Sequence, residues 1–291
     1  AYSGMMDGIR YSNSKDSSER TQPSLKEMTE KALDILSQDE DGFFLMIEGG
    51  RIDWAGHDND AGTMLHEMLK FDEAVNYVYE WARKRNDTLV LVTADHETGG
   101  FGFSYSGYQV LKEEKVSNEM FKDGIYKANF NYGNFSILDK LYNQKVSHQD
   151  MLIHISKWDE KDRTIPKIKK YFESQMDFDL TSADVKQILA SKKNALHHEG
   201  HPYLGADTVP KIDDFSAFFI YGERTRQNIF ARVLANQHNA VWATGSHTST
   251  PVTMVTVGPR SLTDEFDGLM HSTEVARKTF KALGLKKKFR D

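Results

Sequence analysis

The chain has 291 residues, 39% of them hydrophobic and 27% charged, with a formal charge of −6 and no cysteine. That length and balance support a sizeable core in the ordinary soluble globular range, and the mild acidity gives no basis for nucleic acid or an anionic membrane as partner. Disulfides and thiolate metal sites are excluded, and no stretch approaches the roughly 20 apolar residues of a membrane span.

The sequence opens on AYSGMMDGIRYSN, without an initiating Met, and reads as the middle of a protein. SLKEMTEKALDILSQ then predicts a helix from Ser24. The Ser24 hydroxyl is placed to cap the amide of Glu27 and the Glu27 carboxylate to return the bond, while Leu25, Met28, Ala32, Leu33 and Leu36 share an apolar face. A strand is expected over Phe43 to Ile47. Asp60 next caps a long helix reaching about Arg85, with Met64, Leu65, Met68, Val75, Val78 and Tyr79 as its inward stripe. A second strand follows, Leu89 to Thr93. This β-helix-β order implies parallel strands joined by a right-handed crossover.

From about Ser104 the rhythm changes to amphipathic segments: NFSILDKLYNQK, HQDMLIHISKWDEK, IPKIKKYFESQM and TSADVKQILASKK, the last with a start signal at Thr181. Residues 104–210 therefore read as a mostly helical, aromatic-rich insertion between two parts of one core, 1–103 and 211–291. The α/β pattern resumes with a helix over about Glu223 to Asn236. Strands around Val241 and Val252 follow, then a last helix from about Ser272 to Leu283. The basic cluster Lys286 to Lys288 with Arg290 reads as a solvated tail. The expected fold class is α/β, a mostly parallel central sheet flanked by helices, carrying the helical insertion.

Three segments carry the chemistry. In GFFLMIEGGRIDWAGHDND an apolar run ends at Glu48, with Asp53 five residues on and His57 four beyond that. In TLVLVTADHETGGFGFS a strand runs into Asp95 and His96, and in VWATGSHTSTPVTMVTVGP a Gly/Ser/Thr loop holds His247. Asp-x-x-x-His alone is an ordinary surface pattern. Carboxylates and imidazoles at three strand ends are the donors that zinc and magnesium take, and that edge of an α/β sheet is where loops converge on ligands. HHEGHPY, with His197 and His201, reads as a polar loop. His66, His148, His154, His238 and His271 read as helix-face or loop residues. Ser246 lacks the flanking glycines of a nucleophile elbow.

The runs IEGGRIDWAGHDND, LVTADHETGGF and TGSHTSTPV resemble, in order and spacing, the metal-binding segments of alkaline phosphatases. The long insertion is similar to that of the marine, Vibrio-type members. The resemblance implies two zinc ions and one magnesium: Asp53, His57 and His247 on one zinc, Asp95 and His96 on the second, Glu48 on the magnesium, and Trp54 lining the magnesium side. It implies hydrolysis of phosphate monoesters, release of inorganic phosphate, a homodimer, and a periplasmic or secreted location. The family's nucleophilic serine, in an Asp-Ser-Ala stretch, matches no segment here, nor does its phosphate-clamping arginine. The expectation is a C-terminal part with no catalytic nucleophile in this chain, inactive by itself. Two alternatives stay open: a sulfatase or phosphodiesterase of the same superfamily, which Glu48 argues against, and a zinc-stabilised module without catalysis. The insertion is expected to form a dimer arm partly covering the site entrance.

Overall fold

The structure is a computed structural model describing residues 23–104, 136–202, 204–212 and 225–285. The opening AYSGMM stretch, residues 105–135 of the expected insertion and the basic C-terminal cluster lie outside them. In chain order the helices are α1 (Leu25–Leu36), α2 (Arg51–His57), α3 (Ala61–Ala82), α4 (Ser136–Tyr142), α5 (His148–Ser156), α6 (Ile165–Ser174), α7 (Ser182–Leu189), α8 (Thr225–His238), α9 (Arg260–Thr263) and α10 (Ser272–Ala282). The strands are β1 (Val90–Val92), β2 (Glu97–Thr98), β3 (Gly102–Phe103), β4 (Ser191–Lys193), β5 (Thr208–Pro210), β6 (Ala240–Val241), β7 (His247–Thr248) and β8 (Val255–Val257). The chain divides into two compact units. Among the described residues, the first holds 51–67, 98–104, 136–202, 204–212 and 225–246, and the second 23–50, 68–97 and 247–285.

The first unit is built around a helical core. Leu141 of α4, Met151 and Ile155 of α5, Ile168 and Phe172 of α6, and Val185 and Ile188 of α7 pack with Phe230 and Leu234 of α8 in one buried cluster. The helices of the insertion thus bury their apolar faces among themselves and against α8. Short ladders finish the unit: β3 pairs antiparallel with β6, and β4 with β5. The start signals are local and form as the residues dictate. Thr181 and Asp184 make a reciprocal capping box at α7, and Ser147 accepts from the Asp150 amide at α5.

Asp60 caps α3, its Oδ1 accepting from the Thr63 amide at 2.9 Å. The inward face of that helix matches the expected stripe only in part: Met64, Leu65, Val75 and Val78 are half-buried, Leu65 against the helical core. Thr63, His66 and Glu67 are buried, whereas Met68 and Tyr79 are exposed. The His66 ring explains the rotation: it stacks on Tyr142 and its Nε2 bonds the Tyr142 carbonyl at 2.8 Å. His148 and His238 are likewise buried rather than on open helix faces.

In the second unit α1 begins with the Ser24–Glu27 capping box and buries Thr29 and Leu33. At the other end of the chain His271 caps α10 by taking the Thr273 amide while Glu274 returns a bond to its backbone. The expected parallel pairing does not form. Among the described residues Phe43 to Ile47 is extended but carries no strand, and β1 pairs antiparallel with β8, Val90 opposite Val257. Phe43, Leu45 and Ile47 are half-buried, with Phe43 edge-on to Trp81. Phe44 is 64% exposed and Met46 75%. An apolar run with no polar alternation signals a strand covered on both faces, so the sequence pattern exceeds what this segment buries here.

Candidate metal centre

The sequence-predicted donors fall in both units. Asp53 and His57 belong to the first; Glu48, Asp95, His96 and His247 belong to the second.

In the first unit α2 is a two-turn helix, and the four-residue spacing of Asp53 and His57 puts both on one side of it. His57 Nε2 lies 3.5 Å from Asp53 Oδ2. Two ligands about 2.1 Å from a tetrahedral zinc stand about 3.4 Å apart, so the pair has the separation of two donors sharing a cation. The remaining atoms of both side chains are engaged by the protein. Thr98 Oγ1 donates to Asp53 Oδ1 at 2.5 Å. The His57 Nδ1 lies 2.8 Å from the Gly245 carbonyl. A carbonyl only accepts, so Nδ1 carries a hydrogen. A second partner that fixes the tautomer in this way is what metal-ligating histidines have.

The exit from α2 is tight. Asn59 takes a left-handed backbone, φ 54°, a conformation that asparagine tolerates better than most residues. Beyond β2, Gly99 has φ +90°, and a Cβ there would meet the Trp242 ring at 2.6 Å, so only glycine fits. The Gly99 carbonyl accepts from the amides of Ala243 and Thr244 and its own amide donates to the Ser246 carbonyl, which holds the 243–246 loop in place. Ser246 contributes its backbone carbonyl to this loop.

In the second unit His96 Nε2 lies 3.3 Å from Asp95 Oδ2, again a shared-ligand separation. The His96 and His247 rings stack, centroids 3.6 Å apart. Thr248 Oγ1 donates to a Glu97 carboxylate oxygen beside them. Glu48 is exposed, its side chain curled over Gly50. Neither Glu48 nor Asp95 joins both His96 and His247 in a group with ligand atoms within 4.8 Å of one another. Trp54, in the first unit, is exposed.

These carboxylates are not deeply buried. Side-chain exposure is 35% for Asp53 and 86% for Asp95, so no desolvation penalty forces a cation on them, and the case rests on donor geometry. Sequence reasoning passed over Thr98, Glu97, Gly245 and Asn59. The one signal available was their position within three residues of a named donor. In HHEGHPY, His201 Nδ1 accepts from the Leu204 amide, and the Asn194 side chain donates to the Leu204 and Ala206 carbonyls. That is the expected polar loop.

Helices on short ladders, with one carboxylate–imidazole pair on α2 and another in the loop after β1, define an α/β protein with candidate metal ligands. The alkaline phosphatase family model matches residues 4–186. Alkaline phosphatase 3 of Bacillus subtilis (strain 168) is 32% identical over 269 residues, which is 92% of this chain and 46% of that protein. The crystal structure of the Thermus thermophilus alkaline phosphatase superposes with a TM-score of 0.63 at 25% identity, covering 91% of this chain and 48% of that one. The cold-active enzyme of the psychrophile Shewanella sp. gives 0.58 at 26% identity, covering 91% and 52%. The chain belongs to the alkaline phosphatase family and has its α/β fold. It spans about half the length of these relatives.

Proposed function

We propose that the protein is a phosphomonoesterase that hydrolyses phosphate monoesters with two zinc ions and one magnesium. Asp53, His57 and His247 would hold one zinc, Asp95 and His96 the second and Glu48 the magnesium, with Trp54 lining the magnesium side. When bound, these ions supply Lewis acidity to both the attacking and leaving oxygens of an in-line displacement. The observation that carries the reading is the Asp53–His57 pair within a chain of this family: Nε2 and Oδ2 stand 3.5 Å apart, a ligand spacing, while Thr98 and the Gly245 carbonyl orient the two side chains. The Asp95–His96 pair repeats that spacing.

The chain's own residues do the orienting. Thr98 donates to Asp53 Oδ1 and the Gly245 carbonyl accepts from the His57 ring, which fixes the orientation of both side chains. The nucleophilic serine and the phosphate-binding arginine would come from outside these 291 residues, and these residues alone would not turn over substrate.

The test is the complete enzyme against p-nitrophenyl phosphate, its bis-ester and its sulfate, together with zinc-edge anomalous scattering from crystals. Preference for the monoester, and its abolition by Asp53→Ala, are expected. Near-normal turnover in that variant, or preference for the sulfate or bis-ester, would overturn the assignment. The same reading includes a homodimer and a periplasmic or secreted location, which sedimentation velocity and cell fractionation check.

A further inference from the structure

Two buried amides stand behind the Asp53–His57 pair, and neither is a candidate ligand. Asn59 is 2% exposed and Asn228, on α8, is 5% exposed. The Asn59 Nδ2 donates to the Gly56 carbonyl at 2.9 Å and to the Thr244 carbonyl at 3.0 Å. Only an amide nitrogen can satisfy two carbonyls, so the orientation of this side chain is fixed and Oδ1 points the other way. There it accepts from Asn228 Nδ2 at 2.7 Å, and the same nitrogen donates to the His57 carbonyl at 2.9 Å. The Asn228 amide also packs on Gly245: a Cβ on that glycine would lie 3.0 Å from Asn228 Oδ1. One side chain of α8 therefore fixes the last residue of α2, the turn after it and the loop whose carbonyl receives His57 Nδ1.

We propose that Asn228 is a positioning residue for His57, acting through Asn59 to hold the Gly245 carbonyl at the one place where it sets the ring's tautomer. The inference rests on the metal reading only for its purpose; the tautomer itself is a property of the polypeptide. With Asn228 in place a hydrogen stays on Nδ1, and Nε2 lies 3.5 Å from Asp53 Oδ2. Without it the His57 carbonyl and Asn59 Oδ1 both lose this donor inside a buried site, and the Asn59 side chain that donates to the Thr244 carbonyl is no longer held from α8. Partners of this kind, one step removed from the metal, typically change metal affinity by about 10–100-fold.

The experiment uses the full chain, metal-free and then titrated with zinc against a competing chelator. Nitrogen-15 NMR of the histidine rings reads the tautomer of neutral His57. The wild type is expected to show hydrogen on Nδ1, and Asn228→Ala a mixture of both tautomers with a zinc dissociation constant raised about 10–100-fold. Asn59→Gly, compatible with the left-handed turn, is expected to do the same and carries the test if Asn228→Ala does not fold. Ile229→Val, a neighbouring core change on α8, controls for simple destabilisation and is expected to move neither readout. A wild-type tautomer and wild-type zinc affinity in both amide variants would overturn the inference and leave the metal reading standing. A tautomer shift in a protein whose wild type takes up no zinc would sink the metal reading and leave the positioning role in place.

Discussion

Asp60 and His148 lie 3.8 Å apart, Oδ2 to Nδ1, with their side chains 1% and 2% exposed. The carboxylate gathers three hydrogen bonds: from the Thr63 amide, the Gln144 side chain and the His148 amide. It joins the cap of α3 to the turn between α4 and α5. Burial pushes the Asp60 carboxyl up, but His148 and these donors outweigh it and hold it below the usual carboxylate range. Burial in turn holds the His148 ring below its ordinary value against the pull of Asp60. Removing the carboxylate strands three buried donors, so Asp60→Ala is expected to cost at least about 3 kcal/mol. Urea unfolding checks it; a loss below 1 kcal/mol would show that water replaces the carboxylate at no great cost.

Acid should loosen the first unit from the histidine side first. His238 is pushed down to about 4, chiefly by burial and also by His148, with Asp60 opposing. In the unfolded chain histidine titrates near 6.5, so below that value the unfolded state binds more protons and stability falls with pH. The contribution is complete above about 6.5 and is lost progressively down to about 4, about 3 kcal/mol in all at about 1.4 kcal/mol per pH unit. The lowered His148 acts in the same sense. Urea midpoints measured from pH 7.5 to pH 4 should decline across this window; a flat profile would contradict it.

Phe172 is fully buried between Tyr171 and Phe230, with ring centroids 6.0 and 4.8 Å away. Phe172→Ala opens a cavity at the centre of the helical core and is expected to cost about 3–5 kcal/mol. Calorimetry on the full chain reads it. The exposed Tyr142→Ala change makes a poor control, because Tyr142 stacks on His66.

Thr98→Val keeps the shape of the side chain and removes the hydroxyl that engages Asp53 Oδ1. With one carboxylate oxygen freed to rotate, zinc affinity is expected to fall by about 10-fold or more, with little change in thermal midpoint. Titration against a chelator measures it, and unchanged affinity would mean that Asp53 needs no such partner.

Much of this was readable in advance where the cause is local. The boxes at Ser24 and Thr181 and the cap at Asp60 depend on residues three apart, and all three form. What the sequence hid depends on distant partners. His66, His148 and His238 read as helix-face or loop residues because nothing in their own helices reveals Tyr142 and Phe230 stacked on the first two or Phe178 edge-on to the third. The donors Asp53, His57, Asp95 and His96 stood out by type and spacing. Thr98, Gly245 and Asn228, which hold the first two, did not, since Asn228 is 171 residues from the backbone oxygen it bonds. The parallel pairing failed because hydropathy reports that Phe43 to Ile47 is covered, not what covers it.

That same stretch has a practical side. Five consecutive apolar residues, without proline or charge, leave Phe44 and Met46 facing water and their main-chain groups outside any ladder. Unzipped, β-prone polypeptide of this kind is adhesive toward its own copies. Self-association through this ribbon is the expected consequence at high concentration, and Met46→Lys is expected to reduce it.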